Sequence, residues 1–116
     1  MTKNKPLSLT LAESVLEEHK AEGIEIIDVE DFSPFASYYL LATAPNPRAL
    51  GAYKDYLEEA FEKNGIDVPV SEGKPESGWV IVQGGEVICQ LFLAPNRKEI
   101  DLAGLLKNIQ SKNSNQ

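Results

Sequence analysis

Apolar residues recur along the chain with two periods, and these divide it into eight segments. Leu11, Val15, Leu16 and His19 follow one another at helical spacing. They stand behind Thr10-Leu11-Ala12-Glu13, whose Thr and Glu are one capping box apart. A first helix is therefore expected from Thr10, closed by Gly23 in a left-handed cap. Ile24 to Val29 is rich in β-branched residues and reads as a strand. Glu30 to Ala36 reads as a loop. Ser37 to Thr43 is almost wholly apolar, the pattern of a central strand. Pro45-Asn46-Pro47 breaks the chain, with Asn46 suited to an N-cap and Pro47 to the first helical position. A second helix follows, with Leu50, Tyr53, Leu57, Ala60 and Phe61 on one stripe, and ends at Gly65. Ile66 to Val70 is a short strand whose Pro69 assigns it to a sheet edge. Ser71 to Gly78 is a polar loop. Trp79 to Gln83 and Glu86 to Leu93 flank Gly84-Gly85, a strong signal for a tight hairpin. Pro95-Asn96 breaks the chain again before a short helix over Glu99 to Asn108.

The predicted order is α-β-β-α-β-β-β-α. It describes an α/β (α+β) fold with a mixed five-stranded sheet and helices mainly on one face. A length of 116 residues fits a single domain. The domain is expected over residues 10–108, after a flexible N-terminus at 1–9 and before a polar tail at 109–116. No internal repeat is visible.

Composition narrows the function classes. No apolar run approaches the roughly 20 residues of a bilayer span, and no signal peptide opens the chain. One cysteine, Cys89, forms no internal disulfide, and with the one histidine, His19, it makes no ordinary zinc set. A cytoplasmic location is the expectation, with no cofactor and no metal. The net charge of −7 is concentrated between Glu13 and Asp31, where eight acids meet one base. The rest of the chain is balanced. Such a protein lacks the clustered Lys and Arg that grip phosphates, so no direct hold on nucleic acid is expected. A basic protein is the better partner, although the same charge also serves solubility.

The hairpin carries the most functional information. With Gly84-Gly85 as a two-residue turn, Gln83 is expected opposite Glu86, Ile81 opposite Ile88 and Trp79 opposite Gln90. One face then holds Val80, Val82, Val87, Cys89, Leu91 and Leu93, all apolar, and belongs under the helices. The other holds Trp79, Ile81, Gln83, Glu86, Ile88, Gln90 and Phe92. This mixture of aromatic anchors and polar rim fits a protein interface. Cover by a helix or loop of the same chain fits it nearly as well.

Other candidates carry less. Asp28 and Glu30 share a face if the strand persists, as metal-assisted phosphoryl chemistry requires. No Gly-rich phosphate loop accompanies them or Asp31, and solvation of an acidic strand end is the better explanation. His19 has no nucleophile beside it and reads as a boundary residue. Cys89 falls on the apolar face as a core thiol. Arg48 opens a helix, against the dipole, and is expected to pair with Asp28 or Asp31 or to meet a partner.

Several blocks, in order, resemble the ribosomal silencing factor S family, also called Iojap-like proteins. They are Gly23-Ile24 through Ile27-Asp28-Val29, Ser33 with Tyr38 to Thr43, and Arg48. Glu72-Gly73, Gly78-Trp79-Val80-Ile81-Val82, Gly85-Glu86-Val87-Ile88, and Arg97 with Leu102 and Leu105 complete the set. The resemblance covers about Leu11 to Leu106. It implies a nucleotidyltransferase-like fold without catalysis. It also implies binding to the large ribosomal subunit through the ribosomal protein numbered fourteen, a block to subunit joining, and repression of translation. A homodimer off the ribosome is implied as well. The partner-binding residues expected on this basis are Glu72, Trp79, Gln83, Glu86, Gln90 and Phe92. The family carries Asp where this chain has Ser37 and Gln83, His where it has Gln90, and often an aromatic where it has Leu106. Neutral side chains thus replace an ionisable cluster. A nucleotidyltransferase-like enzyme and a divergent dimeric paralogue detached from ribosomes are the alternatives.

Overall fold

A computed structural model of the chain describes residues 5–31, 33–102 and 104–105. Three helices and five strands follow in the expected order: α1 (Leu7–Glu18), β1 (Glu22–Asp28), β2 (Tyr38–Ala44), α2 (Pro47–Lys63), β3 (Val70–Glu72), β4 (Trp79–Gly84), β5 (Val87–Leu93) and α3 (Ala94–Ile100). A 3-10 turn at Pro75–Ser77 lies between β3 and β4. The strands form one mixed sheet in the order β1-β2-β5-β4-β3. The β2–β5 pair is parallel and the other three are antiparallel. The two parallel strands are central and bear the most continuous apolar runs, since both their faces are covered.

The first helix begins earlier than its capping box indicates. It starts at Leu7 after Pro6, and Ser8 and Leu9 are already buried. Thr10 lies inside the helix, where its hydroxyl donates back to the Pro6 carbonyl at 3.4 Å. The helix closes at Lys20, not Gly23. Ala21 N–H bonds to Leu16 O at 2.9 Å and Lys20 N–H to Glu17 O at 3.1 Å, the paired bonds of a Schellman motif. Lys20 holds the left-handed position with φ +61°. The same two bonds close α2, with Ile66 on Phe61 and Gly65 on Glu62, and there the left-handed residue is the glycine. Asn46 caps α2 as expected, its Oδ1 accepting from Ala49 N–H at 2.8 Å.

Three other boundaries differ from expectation. The edge strand is Val70–Glu72, beyond the Pro69 segment, because Pro69 has no N–H for the ladder. Pro95 opens α3 instead of preceding it, taking a first-turn position where no N–H is needed. The predicted last helix over 99–108 is broken at Asp101: α3 ends at Ile100, Asp101 takes a left-handed conformation at φ +44°, and its Oδ1 caps a new helical turn by accepting from Gly104 N–H at 3.3 Å. Leu106, Asn108 and the tail at 109–116 lie outside the described residues, as do Met1 to Asn4.

The hairpin register is displaced by two. Gly84 pairs with Val87, Gln83 with Ile88 and Trp79 with Phe92. The turn is Gly85-Glu86, with Gly85 at φ +55° in the first central position, where primed hairpin turns need a positive φ. A displacement of two preserves which face each side chain occupies.

Helices α1 and α2 cover one face of the sheet. Val80, Val82, Val87, Cys89 and Leu91 meet Leu9, Leu16, Leu50, Leu57 and Phe61 there, with Leu93 at the margin. Each fully buried side chain of this size contributes about 1.5–3 kcal/mol. The close approach of Phe61 uses Gly84, where a Cβ would stand 2.4 Å from the ring.

Candidate functional site

Strand register assembles the second sheet face into three rows. Glu72, Ile81, Gln90, Leu41 and Glu25 run across the sheet in one row. Val70, Gln83, Ile88, Tyr39 and Ile27 form the next, and Trp79, Phe92 and Thr43 the third. A small second core occupies the β1–β2–β5 side of this face. Ile27, Val29, Ala36, Leu41 and Phe92 are buried in it, with Ile100 and Leu102 packed against it from one side and Tyr39, Trp79 and Ile88 along its margin. The β1–β2 loop and α3 thus cover about half the face. The chain covers part of the mixed face, as the second reading of the hairpin expects, and leaves the rest half-exposed.

The open half is a band of half-buried side chains: Trp79, Ile81, Gln83 and Ile88. Glu72 at the sheet edge and Glu86 at the hairpin turn are exposed beside it. Phe35, at the end of the β1–β2 loop, is 75% exposed. The loop and the hairpin turn enclose a recess of about 260 Å³, lined by Glu30, Ser33, Phe35, Ser37 and Glu86 among others.

Two residues expected at the contact surface lie beneath it. Phe92 is 1% exposed and Gln90 6%. Phe92 is buried because it faces the β1–β2 loop side of the sheet, where the second core forms. It supports Trp79, whose ring stacks on it with centroids 5.5 Å apart. Gln90 accepts a hydrogen bond from the Trp79 indole Nε1–H at 3.0 Å.

The neutral side chains at Ser37, Gln83 and Gln90 form a consistent set of donors and acceptors. Ser37 Oγ donates to Glu86 Oε1 at 3.2 Å. Gln83 Nε2 donates to the Phe35 carbonyl at 2.9 Å. A carboxylate at either position could not donate, and at 37 it would face the Glu86 carboxylate. The backbone reinforces the link, since Glu86 O accepts from Ser37 N–H at 2.8 Å and Tyr38 N–H at 3.1 Å. Ser8 Oγ accepts from Glu86 N–H at 3.3 Å, which ties α1 to the same turn.

The remaining candidates are accounted for locally. β1 ends at Asp28, so Asp28 and Glu30 do not continue as neighbours on one strand face. Asp28 Oδ1 instead accepts from Glu30 N–H at 3.0 Å, as Asp does at turns. No group of three or more His, Cys, Asp or Glu among the described residues could hold a metal ion. No helix among them is long and apolar enough to cross a membrane. His19 stacks on Tyr56 with centroids 3.9 Å apart, on the helical side of the molecule. Arg48 is exposed in the first turn of α2, and among the described residues it makes no ion pair with Asp28 or Asp31. Burial pushes the Cys89 thiol up to about 12.

Sequence reasoning missed the role of Arg97. From α3 its guanidinium donates to Gly23 O at 2.6 Å and Thr43 Oγ1 at 2.9 Å, and it pairs with Glu25 Oε1 at 3.3 Å. It clamps α3 over β1 and β2. Gly23, with φ +56°, lies where the β1–β2 register shifts, and a Cβ there would stand 2.8 Å from the guanidinium. A glycine after a predicted helix reads as a cap, and nothing in the local sequence distinguishes it from a bulge that admits an arginine.

Known proteins share this architecture and sequence. A structure from Chromobacterium violaceum superposes with a TM-score of 0.81 at 25% identity, covering 86% of this chain and 83% of that one. One from Bacillus halodurans gives 0.74 at 23%, covering 84% and 90%, and shares the fold. The ribosomal silencing factor RsfS of Bacillus subtilis is 28% identical over 102 residues, 88% of this chain and 86% of its own. That of Chromobacterium violaceum is 26% identical over 95 residues, 82% of this chain and 78% of its own. The family model described as ribosomal silencing factor during starvation matches residues 2–116. With its three-helix, five-stranded architecture and a match over nearly its whole length, the chain belongs to the RsfS family of ribosomal silencing factors.

Proposed function

We propose that this chain represses translation by docking the open half of its second sheet face on the large ribosomal subunit, through the ribosomal protein numbered fourteen, and obstructing subunit joining. Family membership supports the ribosomal partner. The observation that carries the choice of surface is the band of half-buried Trp79, Ile81, Gln83 and Ile88 at the margin of the second core, with Trp79 and Ile88 resting on that core and still partly exposed. An aromatic anchor, aliphatic neighbours and a rim of Glu72 and Glu86 have the composition of a protein interface. The exposed carboxylates suit a basic ribosomal surface and act mainly on specificity and association rate. No chemistry is required of the chain, because the effect is steric. In the cytoplasm the protein would exchange between the ribosome and a free form, and a homodimer through the same band would compete with docking.

Co-sedimentation with purified large subunits tests the surface. Trp79→Ala and Glu86→Arg are each expected to reduce the bound fraction, with Glu86→Arg remaining as folded as the parent chain by circular dichroism. Wild-type binding by both variants would place the contact elsewhere.

A further inference from the structure

Trp79 projects from β4 toward the open band, and two neighbours on β5 govern how it does so. Its ring leans on Phe92, which lies directly opposite in the ladder and is buried. Stacking on one face restrains the ring plane but admits both χ2 orientations of the indole, which place Nε1 on opposite sides. The second restraint is polar. The indole Nε1–H donates to Gln90 Oε1 at 3.0 Å, from the diagonal position on the same strand. The indole nitrogen is a donor only, so Gln90 must turn its carbonyl oxygen toward the ring. Gln90 is 6% exposed, and its acceptor is therefore shielded from competing water. No buried side-chain nitrogen or oxygen among the described residues is left without a partner.

We infer that Gln90 is a positioning residue that fixes the Trp79 indole for docking and leaves only its hydrocarbon edge and face for the partner. This rests on the docking proposed above and adds the chemistry of the surface that Trp79 meets. An anchor whose N–H is already satisfied gains nothing from an acceptor on the partner. A carbonyl or carboxylate placed against it would lose hydration without a bond in return. The complementary site is thus an apolar patch, made of aliphatic side chains or methylenes. Preorganisation also lowers the entropy lost on binding, since the side chain is ordered before the encounter.

The chain has one tryptophan, so its intrinsic fluorescence reports this site alone. Gln90→Met keeps nearly the same length and volume and removes the strong acceptor. Gln90→His keeps a neutral nitrogen acceptor without burying a charge and serves as the rescue. In free Gln90→Met the emission maximum is expected to move and the anisotropy to fall, at an unchanged far-ultraviolet spectrum. Its affinity for large subunits should drop by roughly tenfold, the cost of one such bond. Gln90→His should restore both the emission and the binding. An unchanged Trp79 emission in Gln90→Met overturns the positioning role whatever its binding. An altered emission with undiminished binding, where Trp79→Ala does lose binding, overturns it too. Undiminished binding by Trp79→Ala itself is the separate failure, and removes the docking surface together with this inference.

Discussion

Single side chains decide what this sheet face can do, and alternation along β4 and β5 placed most of them correctly. Trp79, Ile81, Gln83 and Ile88 were assignable from the sequence because residues two apart share a face, whereas Glu86, expected in the strand, lies in the turn. Phe92 and Gln90 share that face but not its exposure. What buries them is a loop from the other end of the sheet and a helix after it, which no local period announces. Cys89 shows the complementary case, an apolar-face residue whose burial was legible. Its thiol is pushed up to about 12 by desolvation, from an ordinary value of 9.0. The folded state therefore keeps its proton where the unfolded chain loses it. The stabilisation is complete below pH 9 and is lost as the pH rises toward 12. Thiol-reactive probes should accordingly leave Cys89 unlabelled at pH 8 and label it on denaturation, and the unfolding midpoint should decline above pH 9 more steeply than in Cys89→Ala. Prompt labelling of the native protein would contradict the burial.

Elements were more legible than their ends. All three helices and five strands follow in the expected order, because long runs at period two or 3.6 outweigh any single residue. Boundaries failed where a stop signal had two meanings. Gly23 serves a bulge and Lys20 the cap, although both α1 and α2 finish with the same pair of hydrogen bonds. An L-residue in the left-handed region is strained, by about 1 kcal/mol, whereas Gly65 at the end of α2 is not. Lys20→Gly should thus raise the stability by up to about 0.5 kcal/mol, after the entropy that glycine adds to the unfolded chain. Urea unfolding measures it, and a loss of stability would contradict the assigned cap. The hairpin slipped by two residues for a related reason. Two adjacent glycines permit more than one turn, and packing of Phe61 against Gly84 selects the one that places Gly84 within the strand.

At the scale of the whole molecule, the two sheet faces divide the labour. One is sealed by α1 and α2 around a single large core. The other is closed over β1, β2 and part of β5 by the loop before β2, by α3 and by the Arg97 clamp, and remains open over β4. Hydroxyl and amide groups at Ser37 and Gln83 tie that loop to the hairpin, so the border of the open band is held without an additional charge. The acidic stretch from Glu13 to Asp31 follows the chain through α1 and β1 and gives the molecule its net charge of −7, suited to a basic partner and not to phosphates. The central claim is that such a surface obstructs the joining of ribosomal subunits. Its most direct test is sedimentation of purified large and small subunits, with and without the protein, at a magnesium concentration that supports joining. The account predicts that the protein travels with the large subunit and that the joined particle is depleted. A protein that stays at the top of the gradient, or that binds while joining proceeds undiminished, would contradict it.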